Sequence, residues 1–330
     1  MNPQTIYPLR FDPIYQYRLW GGRRLADLLT SPLPGDGPIG EAWVLSDRED
    51  HPSRVADGAL RGQTIGQLMH EFPEQLMGDL SGSFSRFPLL LKFLDVHEML
   101  SVQVHPADYR ATLLPPGETG KTEAWVVLEA APGSRIYAGL RPGTTPADLR
   151  TSLSNDKLAD HMVRISPKVG DAVFTPAGTV HSLGGDVMVF EIQENSDVTF
   201  RLYDWGHIDP KTGRPRPLQV EQAMASICYE NSAAGLVTPV VEATTPIHRE
   251  QLFHDKHFRL WRLCGQSPFS VGTPDAPRVL VCVLGAGHLQ HDGQTYAVAK
   301  GEVWLLPAVV GVCVVRPIAP ITLFEIAIPK

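Results

Sequence analysis

Short apolar runs alternate with turn residues from one end of the chain to the other. Runs rich in β-branched and aromatic residues fall at 88–94, 100–105, 122–128, 172–175, 187–193 and 198–203, and again at 279–284, 303–306 and 321–326. Each is bounded by Gly, Pro, Asn or Asp, as strands joined by tight turns are. Three segments break this pattern and predict helices. At 64–77, Ile65, Leu68, Met69 and Phe72 recur at three- and four-residue spacing behind Thr64, a suitable N-cap, and Pro73 should end or kink the helix. Residues 145–162 open on Thr-Pro and continue with helix-favouring charged residues, and 218–228 is the third segment. The chain therefore predicts a mainly β protein with helical insertions at about 60–80, 145–162 and 217–229. An internal echo suggests two β-domains of similar plan. Gly170-Asp-Ala-Val-Phe-Thr-Pro-Ala matches Gly301-Glu-Val-Trp-Leu-Leu-Pro-Ala, and residues 238–249 are the candidate boundary.

Composition removes several classes of function. Of 330 residues, 43% are hydrophobic and 20% charged, which suits a globular protein rather than a disordered one. The formal charge of −7 provides no basic excess to neutralise a phosphate backbone, so nucleic acid is not an expected partner. The four cysteines, Cys228, Cys264, Cys282 and Cys313, are widely spaced, form no CxxC pair and predict free thiols in a reducing compartment. The N-terminus shows no continuous apolar leader, and the strongest apolar stretch, 303–315, is broken by Pro307 and too short to span a bilayer. A cytoplasmic protein away from membranes is expected.

Candidate chemistry gathers in four clusters. In Ser101-Val-Gln103-Val-His105-Pro106, residues two apart share a strand face, so Ser101, Gln103 and His105 point together. A lone His more often serves structure; adjacent polar partners on its face favour a ligand pair. In Gly120-Lys121-Thr-Glu123-Ala-Trp125, Lys121 and Glu123 share a face with Trp125. Pointed inward, these charges need a partner or a metal; at an exposed edge they would pair with each other. In the third cluster, Pro176 and Gly178 set a sharp turn that swings His181 back towards the interior. The fourth runs from Phe190 to Gly206, where Glu191 and Gln193 share one face and Arg201 and Tyr203 another. Inward-facing Glu191 and Arg201 would be an acid–base group and an anion stabiliser, and a buried Glu191–Arg201 ion pair reads equally well.

The third cluster resembles the second cupin motif, with Gly185 where that motif usually has Asn. Further matches occur in chain order: Leu100-Ser-Val-Gln-Val-His-Pro, Gly-Lys-Thr-Glu-Ala-Trp, Gly-Thr-Val-His-Ser-Leu and Ser-Asp-Val-Thr-Phe-Arg-Leu-Tyr-Asp-Trp-Gly. Together they resemble the type I mannose-6-phosphate isomerases (phosphomannose isomerases) in their short bacterial form. Trp20-Gly-Gly, Gly40-Glu-Ala-Trp-Val-Leu-Ser46, Pro88-Leu-Leu-Leu-Lys92-Phe-Leu-Asp95 and Pro215-Arg216-Pro217-Leu218 extend the likeness over most of 11–228. The resemblance implies two cupin-like β-barrels (jelly-rolls). A catalytic domain would occupy 1–240. A degenerate domain without metal ligands would occupy 241–330, since Pro307 is followed by no Gly-x-x-His.

The resemblance also implies roles. Gln103, His105, Glu123 and His181 would hold one zinc ion, with manganese or iron as rivals. Arg201 would be the catalytic arginine, Glu191 the preferred proton carrier and Lys121 its rival. Ser101 and Lys92 would lie near the sugar phosphate. His207 stands where relatives carry a permanent cation that helps hold that phosphate. The implied reaction interconverts mannose 6-phosphate and fructose 6-phosphate through a cis-enediol(ate), in a monomer or homodimer whose partner is a small sugar phosphate. An isomerase of unphosphorylated aldoses and a non-catalytic, metal- and sugar-binding cupin are the alternatives. An oxygen-dependent dioxygenase is disfavoured, because Gln103 replaces the first His of an iron-type set.

Overall fold

A computed structural model describes residues 6–230 and 234–330; the first five residues, where the reading for a leader begins, lie outside the described residues. Strands dominate, as the alternation predicts, and they form two pairs of sheets and a two-stranded ribbon, Ile208–Asp209 with Arg214–Pro215. In the first pair, one seven-stranded sheet runs in the order Gly235–Leu236, Ala172–Thr175, Glu123–Ala130, Val187–Glu194, Leu89–Val96, Ile14–Gly22 and Ile39–Leu45. Its partner has five strands: Phe200–Tyr203, Val102–Val104, His181–Gly184, Arg135–Leu140 and Met162–Ile165. From Val240 onwards the strands build a second pair, of seven and four strands. The first of these sheets also takes in Leu9–Arg10, which pairs with Leu305 and Trp304. We propose two domains meeting near residue 240, with that short N-terminal strand donated across the boundary.

The seven-stranded sheet of the first pair is buried on both faces, and the period of two along its strands divides the work. Leu89, Leu91, Phe93, Ala124, Val126, Phe190 and Ile192 pack towards the second sheet pair, against Val279, Val281, Phe324 and Ile326. Leu94, Val96, Trp125, Val127, Val187 and Val189 face the other way and pack with Ile136, Ala138 and Leu183 of the five-stranded sheet. Lys92, Glu123, Glu191 and Gln193 share the parity of this second set. Burial on both faces explains why 88–94 reads as an apolar run rather than a clean alternation.

The predicted helices form with two adjustments. Thr64 caps the helix Ile65–Glu71 in a reciprocal box with Gln67, and Pro73 opens a separate helix, Pro73–Met77. The helix expected at 145–162 covers only Pro146–Leu153. Asp156 adopts φ 57°, a left-handed conformation that an α-helix cannot carry, and Met162 already belongs to a strand. The third helix is Val220–Ser226. The internal echo is real at the level of the turn. Gly170 and Gly301 both have positive φ, and Asp171 and Glu302 each accept from the amide three residues earlier, at 2.8 and 3.0 Å. No helix among the described residues is long and apolar enough to cross a membrane.

Candidate active site

Strand register brings the predicted site together. On the five-stranded sheet, Gln103 lies opposite both His181 and Arg201. On the facing sheet, Glu191 lies opposite both Lys92 and Trp125, and Gln193 lies opposite Glu123. Gly178, at φ +88°, makes the turn that returns His181 to the cluster; its amide donates to the carbonyl of His105 at 2.8 Å. A Cβ there would meet the Cβ of Cys228 at 2.9 Å, so glycine is needed for space as well as for conformation.

His105, Glu123 and His181 are all buried, with their potential ligand atoms within 4.8 Å of one another. The back nitrogen of each ring is committed: His105 Nδ1 donates to Val198 O at 2.7 Å, and His181 Nδ1 to Thr179 O at 2.9 Å. A carbonyl can only accept, so Nδ1 carries the proton on both rings and each Nε2 presents a lone pair. Those lone pairs face the Glu123 carboxylate, at 3.3 Å from His105 and 3.1 Å from His181. Burial, with Lys121 second, pushes His105 down to about 3, so it stays neutral. Burial alone would raise Glu123, but Lys121 and the two histidines hold it well below the ordinary carboxylate range. Two lone pairs and a carboxylate whose oxygens are buried without a directed hydrogen-bond donor are a donor set for a cation. Gln103 borders the group: its amide nitrogen lies 3.2 Å from His181 Nε2 and 3.5 Å from His105 Nε2.

Above this cluster opens a pocket of about 350 Å³ whose lining includes Ser101, Gln103, Lys92, Lys121, Glu191 and Arg201. Glu191 is fixed by two donors, Trp125 Nε1 at 2.9 Å on one oxygen and Lys92 Nζ at 3.0 Å on the other. Its ion-pair partner is thus Lys92, not the Arg201 considered from the sequence. Ser101 donates to Gln103 Oε1 at 3.2 Å. His207 does not line the pocket: its ring nitrogens lie 3.2 Å from Glu98 and 3.6 Å from Asp204. Arg216, held by Asp204 at 2.9 Å, does line it, as do Arg18 and Glu41. Glu41 and Arg216 stood inside quoted motifs without a role, and Arg18 was visible only as a charge; nothing in their spacing announces a pocket residue.

A mainly β fold with a buried His–Glu–His cluster beneath a polar pocket defines the class of the metal-dependent cupin enzymes. Comparison with known proteins narrows the class. Residues 9–120 match the family model described as phosphomannose isomerase type I, catalytic domain. Mannose-6-phosphate isomerase ManA of Bacillus subtilis (strain 168) is 33% identical over 315 residues, spanning 92% of this chain and 94% of the relative. A mannose-6-phosphate isomerase of Streptococcus mutans is 32% identical over 303 residues, 91% of this chain and 92% of its own. The crystal structure of the Bacillus subtilis mannose 6-phosphate isomerase superposes with a TM-score of 0.89 at 29% identity, covering 97% of this chain and 99% of that one. The chain belongs to the type I mannose-6-phosphate isomerase family.

Proposed function

We propose that this protein interconverts mannose 6-phosphate and fructose 6-phosphate with a zinc ion held by Gln103, His105, Glu123 and His181. Two imidazole nitrogens and a carboxylate oxygen form a mixed donor set suited to zinc, and Gln103 adds its amide oxygen as a fourth ligand once the amide, whose nitrogen now faces the two rings, turns over. One observation carries the reading. Four of the cations lining the pocket are neutralised: Arg18 by Glu41 at 2.9 Å, Lys92 by Glu191 at 3.0 Å, Lys121 by Glu123 at 3.2 Å and Arg216 by Asp204 at 2.9 Å. Arg201, among the described residues, has no carboxylate partner; its Nη1 donates to Pro217 O at 2.9 Å and its buried Nε is unused. Burial, with Arg216 beside it, lowers Arg201 from its ordinary value, yet a guanidinium keeps its proton. A fixed positive charge without an ion-pair partner, beside a metal-type cluster, is what a reaction passing through an anion requires.

The isomerisation moves one proton between C2 and C1 of the open chain and another between the two attached oxygens. Glu191 takes the carbon-bound proton from one face and returns it to the neighbouring carbon; Trp125 and Lys92 hold its carboxylate in place while it does so. Lys121 is the other group able to carry that proton. Arg201 stabilises the enediolate between the two transfers. When bound, the ion supplies a second positive charge that orients and polarises the vicinal oxygens of the sugar. Arg216 takes the part of phosphate anchor first assigned to His207.

A coupled assay of metal-replete protein, with mannose 6-phosphate and mannose side by side, tests the function. A kcat/KM at least roughly tenfold higher for the phosphate is expected, the worth of one or more charge-assisted contacts. Equal use of mannose would indicate an isomerase of free aldoses, and binding without turnover a sugar-binding cupin.

A further inference from the structure

On the side of the first sheet pair that faces the second, a second cluster of ligand-type side chains draws on three separate segments. Asp108 begins the short helical turn Asp108–Leu113, Glu194 ends the strand Val187–Glu194, and His257 lies in the turn before the strand Arg259–Gly265. Their potential ligand atoms are all within 4.8 Å of one another. Each carboxylate has one oxygen committed to a backbone amide: Glu194 Oε1 accepts from Thr122 N at 2.7 Å, and Asp108 Oδ1 accepts from Gly120 N at 2.7 Å. The second oxygen of Glu194 lies 3.1 Å from His257 Nδ1. Among the described residues, neither carboxylate has a lysine or arginine within ion-pair distance, although Glu194 is buried. Arg48 lines the adjoining pocket of about 330 Å³ but is engaged by Glu118, and Lys256 stays beyond ion-pair reach. Asn195, with a buried Oδ1 that lacks a hydrogen-bond partner, lines the same pocket. Burial raises Glu194 to about 7 and lowers His257, as expected of a carboxylate and an imidazole that share a site short of positive charge.

We propose that Asp108, Glu194 and His257 form a second divalent-cation site of zinc type. One imidazole nitrogen with two carboxylate oxygens, leaving open positions for water, matches zinc better than calcium or magnesium, which prefer all-oxygen shells. Zinc–ligand bonds of about 2.0–2.2 Å put neighbouring ligand atoms roughly 3.3 Å apart, close to the His257–Glu194 separation already present. The position gives the site a purpose. Asp108 follows His105 by three residues, and the amide held by Glu194 belongs to Thr122, next to Glu123. A cation there pins both ends of the loop 106–120, which joins two members of the first cluster, to the second sheet pair. This inference is independent of the reaction proposed above.

Equilibrium dialysis of the full chain against Zn²⁺, with metal content by mass spectrometry and melting followed in parallel, tests it. Wild type should hold two ions per chain. Asp108→Asn, an isosteric change at an exposed residue, and His257→Gln should each hold one and lose part of the Zn²⁺-induced rise in Tm. His181→Ala should also hold one, and His181→Ala with Asp108→Asn none. A wild type with a single ion that Asp108→Asn and His257→Gln both retain would overturn the second site. A single ion lost in Asp108→Asn but kept in His181→Ala would uphold it and remove the first instead.

Discussion

In the proposed mechanism Arg201 carries the most weight, because among the described pocket cations it alone has no carboxylate within ion-pair distance. Arg201→Ala should keep both metal and fold and lower kcat roughly 10²–10³-fold, the usual worth of one preorganised charge at a developing oxyanion. A raised KM at unchanged kcat would move Arg201 to ground-state binding. The phosphate end follows from the same comparison of charges. His207→Arg should change KM for mannose 6-phosphate little, since the side chain at 207 faces Glu98 and Asp204. Arg216→Met should raise that KM roughly 10–100-fold while leaving KM for mannose nearly unchanged. The motif residues around 101–123 and 170–184 were legible because a turn or a shared strand face betrays each of them. The pocket position of Arg216 was not, because nothing in its quoted motif shows that the segment folds back against Asp204.

Among the elements, register does what spacing only hints at. Lys92 faces Glu191, and Glu191 faces Trp125, so a row of polar side chains crosses three strands that each read as apolar. The runs 172–175 and 303–306 were legible to the residue, being short strands between a positive-φ glycine and a proline. Ile14–Gly22 was not picked out from the pattern. Its ladder shifts register at Gln16/Tyr17 and again before Gly22, and such irregularities break the alternation that marks a strand. The helix 145–162 was over-read because charged, helix-favouring residues continue past the left-handed Asp156. Thr64→Ala, which removes the side chain accepting from Gln67 N at 3.2 Å, should destabilise the protein by about 1 kcal/mol in chemical denaturation and leave kcat unchanged.

Across the whole molecule, two sheet pairs share one apolar layer, and the pocket's charged groups lie on the opposite face of the central sheet. Acid should undo that arrangement from the pocket side. Burial alone would raise Glu41, but Arg18, Lys92 and the Trp43 indole hold it at about 2 instead of its ordinary 4.5. The folded state therefore releases the Glu41 proton more readily than the unfolded chain does. Its contribution, on the order of 3 kcal/mol, is fully present above pH about 4.5 and is lost as pH falls from there towards 2. Glu41→Gln should flatten the acid limb of a stability–pH profile; an unchanged limb would exclude Glu41 as its source. The proposed function depends most on the cluster of His105, Glu123 and His181, and metal content with kcat measured on the same samples of wild type, His105→Ala and His181→Ala tests that cluster most directly. Each variant should hold one ion per chain fewer than wild type and lose turnover of mannose 6-phosphate in proportion. Wild-type metal content in both variants would contradict the site.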